Sequence, residues 1–266
     1  MYESFSCEHK QYLKTTRINK RLIMTARVLI IVAFFSLWEL AATMRWLDPF
    51  IFSQPSRVFA AFINMLRDGS IFIHVGVTLG ETIIGFTLST AGGLLISALL
   101  WWNAFLRKVL EPYLVVLNSL PKTALAPVII VLIGNNINSV IATAVMTSII
   151  VTVLNILTGF LEVSTDKIKL VESFGGTKWQ ILQKVVLPAS VPAIVNALKV
   201  SVGLSFVGVI VGEFLVAKAG LGYLIVYGSQ VFKMDWVMMS VIILCLLATL
   251  LYVVVAAVEK RIVRGA

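Results

Sequence analysis

Residues 123–161 read TALAPVIIVLIGNNINSVIATAVMTSIIVTVLNILTGFL, 39 residues without one charged side chain. A helix crosses a bilayer with ~20 consecutive apolar residues. The run therefore holds between one and a half and two crossings, and Gly134-Asn135-Asn136-Ile137-Asn138 in its middle reads as a tight turn. A soluble core has no place for such a segment, whereas lipid does. The fold class that follows is an all-α integral membrane protein.

Working outward, the same reading divides the chain of 266 residues into about six spans, at residues 28–44, 76–102, 110–133, 139–161, 189–214 and 236–258. The composition agrees, with 59% hydrophobic and 13% charged residues against the roughly 25% charged residues of soluble domains. The mean hydropathy is +0.97. The third span is interrupted by Pro121 and Pro127, each of which removes a helix hydrogen bond and bends the span. Such a bend serves as a gate element or as plain architecture. In the second span Gly80, Gly85, Gly92 and Gly93 leave one side without bulk, which permits close helix packing in a membrane. Val58–Leu66 is too short to cross and reads as a helix lying along the membrane surface. Glu39, an acid in the first span, is expected near an interface or against protein. Residues 1–27 and 259–266 read as polar tails. Ala41-Ala42-Thr43 is a poor cleavage site, so the first span is expected to be retained as an anchor.

The net charge of +9 is spread over short polar segments between apolar runs. That distribution suits membrane topology and not a nucleic-acid face. Fifteen lysines and arginines fall on one set of alternate segments and five on the other, with Lys122 and Lys199 inside spans. The positive-inside rule then expects both termini, and the 162–188 loop, in the cytoplasm. Cys7, Cys245, His9 and His74 are isolated and outline neither a disulfide framework nor a metal site. No Gly-x4-Gly-Lys-[Ser/Thr] phosphate loop occurs, so no nucleotide cofactor is expected in this chain.

The 162–188 loop is the longest polar stretch between spans. Residues 164–192 read STDKIKLVESFGGTKWQILQKVVLPASVP, two short amphipathic helices joined by Gly175-Gly176. Asp166 opens the first, and Ile168, Val171 and Phe174 form an apolar stripe along it. Thr177 caps the second, which carries Trp179 and leads through Leu187-Pro188 into the fifth span. A short helix with an exposed apolar stripe fits the hydrophobic groove of a soluble partner. It also fits flat on its own bundle or on lipid.

The stretch resembles the EAA loop of ABC importer permeases: Glu-Ala-Ala, three residues, Gly, nine residues, then Ile-x-Leu-Pro. Gly175 takes the glycine place, and after nine residues Val185-Val186-Leu187-Pro188 takes the last, while Lys169-Leu170-Val171 stand where the family has Glu-Ala-Ala. Pro55-Ser56-Arg57-Val58, Leu120–Pro127, and Gly212-Glu213 with Gly220–Ile225 are similar to further segments of the nitrate, sulfonate and taurine branch. The resemblance implies a type I importer fold in a bacterial inner membrane, working as a homodimer with two cytoplasmic ATPases that use the ATP. An extracytoplasmic binding protein delivers a small, anionic solute. It assigns the ATPase contact to Lys169, Val171, Glu172, Phe174, Gly175, Gly176, Thr177, Trp179, Leu187 and Pro188.

The charges inside the spans are the candidates for meeting solute. Lys122 and Lys199 either line a pathway for an anion, extend to an interface or pair structurally, and Glu213, about 21 Å beyond Lys199 along one helix, is expected to brace the far end of the fifth span or the binding-protein contact. Pro121, Lys122, Pro127, Lys199 and Glu213 are thus the candidate pathway residues. A secondary transporter would show inverted repeats and more acids within spans. An intramembrane enzyme would need paired acids, a Ser/His set or metal ligands there, and neither pattern is visible.

Overall fold

The computed structural model describes residues 7–265, and among these every regular element is a helix. In chain order they are α1 (Cys7–Thr43), α2 (Pro49–Phe52), α3 (Pro55–Arg67), α4 (Ser70–Trp102), α5 (Ala104–Ser119), α6 (Lys122–Ile133), α7 (Ile137–Leu161), α8 (Thr165–Ser173), α9 (Lys178–Ile181), α10 (Leu187–Ala189), α11 (Val191–Val216), α12 (Leu221–Gln230) and α13 (Met234–Gly265). Segments of α1, α4, α7, α11 and α13 are long and apolar enough to cross a membrane, and α5 with α6 qualifies only as a pair, either one broken span or a re-entrant loop.

The centre of the bundle is α7, clasped between α4 and α11 through positions without side-chain bulk. A Cβ on Gly85 would stand 2.7 Å from the Ala144 Cβ, and one on Gly93 2.6 Å from Thr152 Cγ2. On the other flank a Cβ on Gly208 would stand 2.6 Å from the Ala144 Cα, and one on Gly212 2.9 Å from the Val140 Cα. Gly92 meets Ile149, whereas Gly80, placed with the others by sequence, faces open space. Between the three helices lies a seam of hydroxyls. Thr152 Oγ1 donates to Ser201 Oγ at 3.0 Å, Ser205 Oγ to Ser148 Oγ at 3.0 Å, and Ser97 Oγ to the Val153 carbonyl at 3.0 Å. Lipid gives helices no hydrophobic reason to associate, so close backbone approach and such bonds, worth about 0.6 kcal/mol each, hold the bundle together.

Three boundaries differ from the sequence reading. The third span is not one bent helix over 110–133. Its two parts, α5 and α6, meet at 98°. The break falls at Leu120-Pro121, because a residue before proline is pushed out of the helical region and Leu120 has φ −67°, ψ 140°. Pro127 lies inside α6 without breaking it. The first helix begins well inside the segment read as a tail, and its membrane-length part starts at Leu22. Likewise α13 continues through the segment read as a C-terminal tail, since charged residues extend a helix freely once it leaves lipid. In α3 the buried Val58 and Met65 join a cluster with Phe206, Leu224, Met239 and Leu244, while Phe59 on another side of the helix is 65% exposed. Glu39 belongs to the same corner. Its carboxylate accepts from the Ser56 amide at 3.0 Å and the Ser56 hydroxyl at 2.8 Å, satisfying the first turn of α3.

Candidate functional site

The 162–188 segment is anchored on the bundle through the buried Ile181, Leu182 and Val186. Ser164 caps α8 by accepting from the Asp166 amide, and Asp166 sits in its first turn, where the helix dipole favours an acid. The helix is closed by the glycine pair. Gly175 has φ +78°, its amide bonds the Glu172 carbonyl at 2.9 Å, and the Gly176 amide bonds the Val171 carbonyl at 2.9 Å. This is the Schellman closure, which calls for a left-handed residue at Gly175. Gly176 is required for a separate reason, because a Cβ there would lie 2.8 Å from the Val171 carbonyl oxygen.

Thr177 then starts α9 with a reciprocal cap. Its hydroxyl accepts from the Gln180 amide, and the Gln180 side chain accepts from the Thr177 amide at 2.8 Å. From α9 the chain passes through a wide π turn, Leu182–Val186, into α10 and its Pro188. Proline has no amide hydrogen for the usual i−4 bond, and a wide turn just before it relieves the crowding of its ring. Ser190 Oγ donates to the Gly159 carbonyl at 2.9 Å, tying the start of α11 to the end of α7.

The apolar residues of this segment divide between two directions. Ile181, Leu182 and Val186 are buried with Ile156, Phe160, Val163 and Ala197, and Ile168, Val171 and Leu187 pack against that cluster. Phe174 is 83% exposed, Trp179 60% and Leu170 58%. The stripe read from sequence as one outward face is therefore split. Ile168 and Val171 anchor the element, while Phe174 points away with Leu170. A period of three places residues on one side of a helix without saying whether the neighbouring turn covers them. Lys169, Glu172, Thr177 and Pro188 are exposed, and Trp179 leans on Trp102, ring centroids 6.5 Å apart.

The candidate pathway residues do not converge. Lys122 is the first residue of α6, and its ammonium donates to the Asn118 carbonyl at 3.1 Å and the Asn118 side-chain oxygen at 3.2 Å. It thereby spans the break at Pro121 and satisfies a carbonyl freed at the end of α5. Lys199 makes an ion pair with Glu259 of α13 at 2.5 Å. Glu213 is 1% exposed at the opposite end of α11. Its carboxylate accepts from Thr78 Oγ1 at 2.6 Å and from the Gly222 amide, and the Leu221 amide donates to Thr78 Oγ1 at 2.9 Å. The Gly220 amide donates to His74 Nδ1 at 3.0 Å. Gly220 has φ +118°, and a Cβ there would run into the Glu213 carboxylate. Gly220 and Gly222 thus let the corner between α11 and α12 wrap this acid.

Sequence reasoning did not assign Glu81, which the fold brings to Glu213. Glu81 is 3% exposed, and its carboxyl group meets that of Glu213. The signal was present: Glu81 is the one charged residue between Ser70 and Trp102, and an acid within an apolar span has a partner or a task.

Residues 89–265 match the family described as "Binding-protein-dependent transport system inner membrane component". The chain is 30% identical to the formylaminopyrimidine transport permease protein ThiX of Halalkalibacterium halodurans over 70% of this chain and 74% of that one. It is 24% identical to the putative aliphatic sulfonates transport permease protein SsuC of Escherichia coli over 92% of this chain and 93% of that one. Among solved structures, the inward-facing MetNI methionine ABC transporter superposes with a TM-score of 0.64 at 22% identity, covering 71% of this chain and 94% of that one.

Proposed function

Because the chain belongs to the family of binding-protein-dependent transport system inner membrane components, we propose that it forms half of the membrane path of an ATP-driven importer and is moved through its 162–188 segment. It is a transport component of the bacterial inner membrane and not an enzyme. In this reading two copies enclose the path, two ATPases bind from the cytoplasm and use the ATP, and a binding protein delivers solute on the far side. Both chain ends then lie in the cytoplasm, in line with the distribution of lysine and arginine.

The observation that carries the reading is the division of apolar residues in that segment. Phe174, Leu170 and Trp179 are offered outward, while Ile181, Leu182 and Val186 of the same element are buried against α7 and α11. A partner gripping Phe174 displaces the element, and the close contacts at Gly159, Gly208 and Gly212 pass that movement to the two helices together.

For the solute, the relatives' names run from aliphatic sulfonates to a formylaminopyrimidine, and we propose a small sulfonate-type anion attracted by Lys122 and Lys199. Glu259 competes for Lys199, which makes this residue the sharper test. In proteoliposomes holding the complete complex, ATP-dependent uptake of ethanesulfonate is expected to fall about tenfold or more for Lys199→Met, the equivalent of ~1.4 kcal/mol. Glu259→Gln breaks the same ion pair but keeps the cation, and uptake should be maintained. Equal uptake by Lys199→Met and the parent removes Lys199 from the path. An absence of ATP-dependent uptake of any solute in the parent complex would count against the importer reading itself.

A further inference from the structure

The end of the bundle away from the 162–188 segment holds two acids in contact, Glu81 of α4 and Glu213 of α11. They are 3% and 1% exposed, and a hydrogen bond joins their carboxyl groups. Two carboxylates offer each other only acceptors, so a bond between them has to contain a hydrogen. One proton on the pair also removes a conflict, because two like charges in a site without water are costly.

The surroundings supply no other neutralising group. Among the described residues the ion pairs are Arg57–Asp235 and Lys199–Glu259, so no lysine or arginine is paired with either acid. Lys218, in the connection between α11 and α12, lines a cavity together with Glu81 but is itself exposed. On α4 the Nδ1 atom of His74 accepts from the Gly220 amide, so this ring is neutral. Tyr223 of α12 is stacked on His74, ring centroids 6.1 Å apart, and Tyr227 is stacked on Tyr223 at 5.6 Å. The sequence of α7 contains no ionisable residue.

The hydrogen bonds assign the proton to one partner. Glu213 receives Thr78 Oγ1 on one oxygen and the Gly222 amide on the other, the pattern of a carboxylate. Glu81 has one oxygen that is closed to solvent and without a partner. An orphaned oxygen costs far less on a neutral carboxyl group than on a carboxylate.

We infer that the folded chain binds one proton at this site, carried by Glu81 and donated to Glu213, and that this hydrogen ties α4 to the α11–α12 corner. The tie is sensitive to pH. Loss of the proton to water leaves two carboxylates in contact, and their repulsion pushes α4 from the corner. The inference depends neither on what the chain transports nor on how the 162–188 segment is moved.

The test is infrared spectroscopy of the full chain in lipid nanodiscs, with the side-chain carboxyl carbon of glutamate isotope-labelled. A protonated carboxyl group has a carbonyl stretch that a carboxylate lacks. At neutral pH the parent is expected to show this band, shifted by the label. Glu81→Gln, nearly the same shape and able to donate to Glu213 through its amide, is expected to lose the intensity of one carboxyl group. Raising the pH should remove that intensity from the parent and lower its unfolding midpoint. Glu81→Gln has no proton there to release and should keep its midpoint over the same range. Absence of the band from the parent at neutral pH overturns the inference, whether or not the variant folds. So does a band of equal intensity in folded Glu81→Gln, or an equal alkaline fall of the two midpoints.

Discussion

Replacing Glu213 by alanine is expected to lower the stability of the chain by about 3–5 kcal/mol, through two stranded donors and a cavity. The Gly222 amide and the Thr78 hydroxyl both end on this carboxylate, and the residue is 1% exposed, so water cannot replace it. The Leu221 amide depends on Thr78 staying in place. Loss of the acid therefore loosens the α11–α12 corner from α4 as a unit. Glu213→Gln retains one acceptor and is expected to lose about half as much. The measurement is the thermal unfolding midpoint in detergent, followed by tryptophan fluorescence. A midpoint for Glu213→Ala equal to the parent's would mean that the corner is held by something other than this acid.

The second large effect is expected at Phe174. At 83% exposure its replacement should leave the fold unchanged within about 0.5 kcal/mol, as for surface positions in general. If Phe174 fills a groove on the ATPase, Phe174→Asp removes a buried aromatic anchor and puts a charge in its place. Truncating such an anchor costs about 2–4 kcal/mol, or ~30- to 1,000-fold in affinity. The ATPase subunit should then no longer co-purify with the chain, while Val171→Ala, which acts on an inward contact, should lower stability first. Co-purification undiminished by Phe174→Asp would place the docking surface elsewhere.

Much of this architecture was legible in the chain. Lipid imposes a length and an apolar composition on each span, so the runs around α4, α7, α11 and α13 stand out without any reference to their neighbours. Local caps were equally visible, because Thr177 and Gly175 act through backbone bonds of their own turn. What sequence did not yield depends on contacts between distant segments. Val171 and Phe174 share a period, and only the cluster around Phe160 and Ile181 decides which of them is covered. Pro121 announced an interruption, but a proline fixes one torsion and not the 98° between the helices on either side. Glu81 lies 132 positions before Glu213 in the sequence, and neither local segment reveals that the other faces it. Lys199 reads as a lone cation in a span until α13 brings Glu259 beside it.

These placements leave one claim under the rest, that the segment closed by Gly175 and Gly176 is the handle of a cytoplasmic motor. Thr177 is exposed at the start of α9, next to the surface formed by Phe174 and Trp179. The direct measurement is labelling of Thr177→Cys, in a background with the native cysteines replaced, by a membrane-impermeant maleimide in vesicles of both orientations. The expected result is labelling in inside-out vesicles alone, slowed when the ATPase subunit is bound. Labelling from the opposite side, or a rate indifferent to the bound ATPase, would contradict the account.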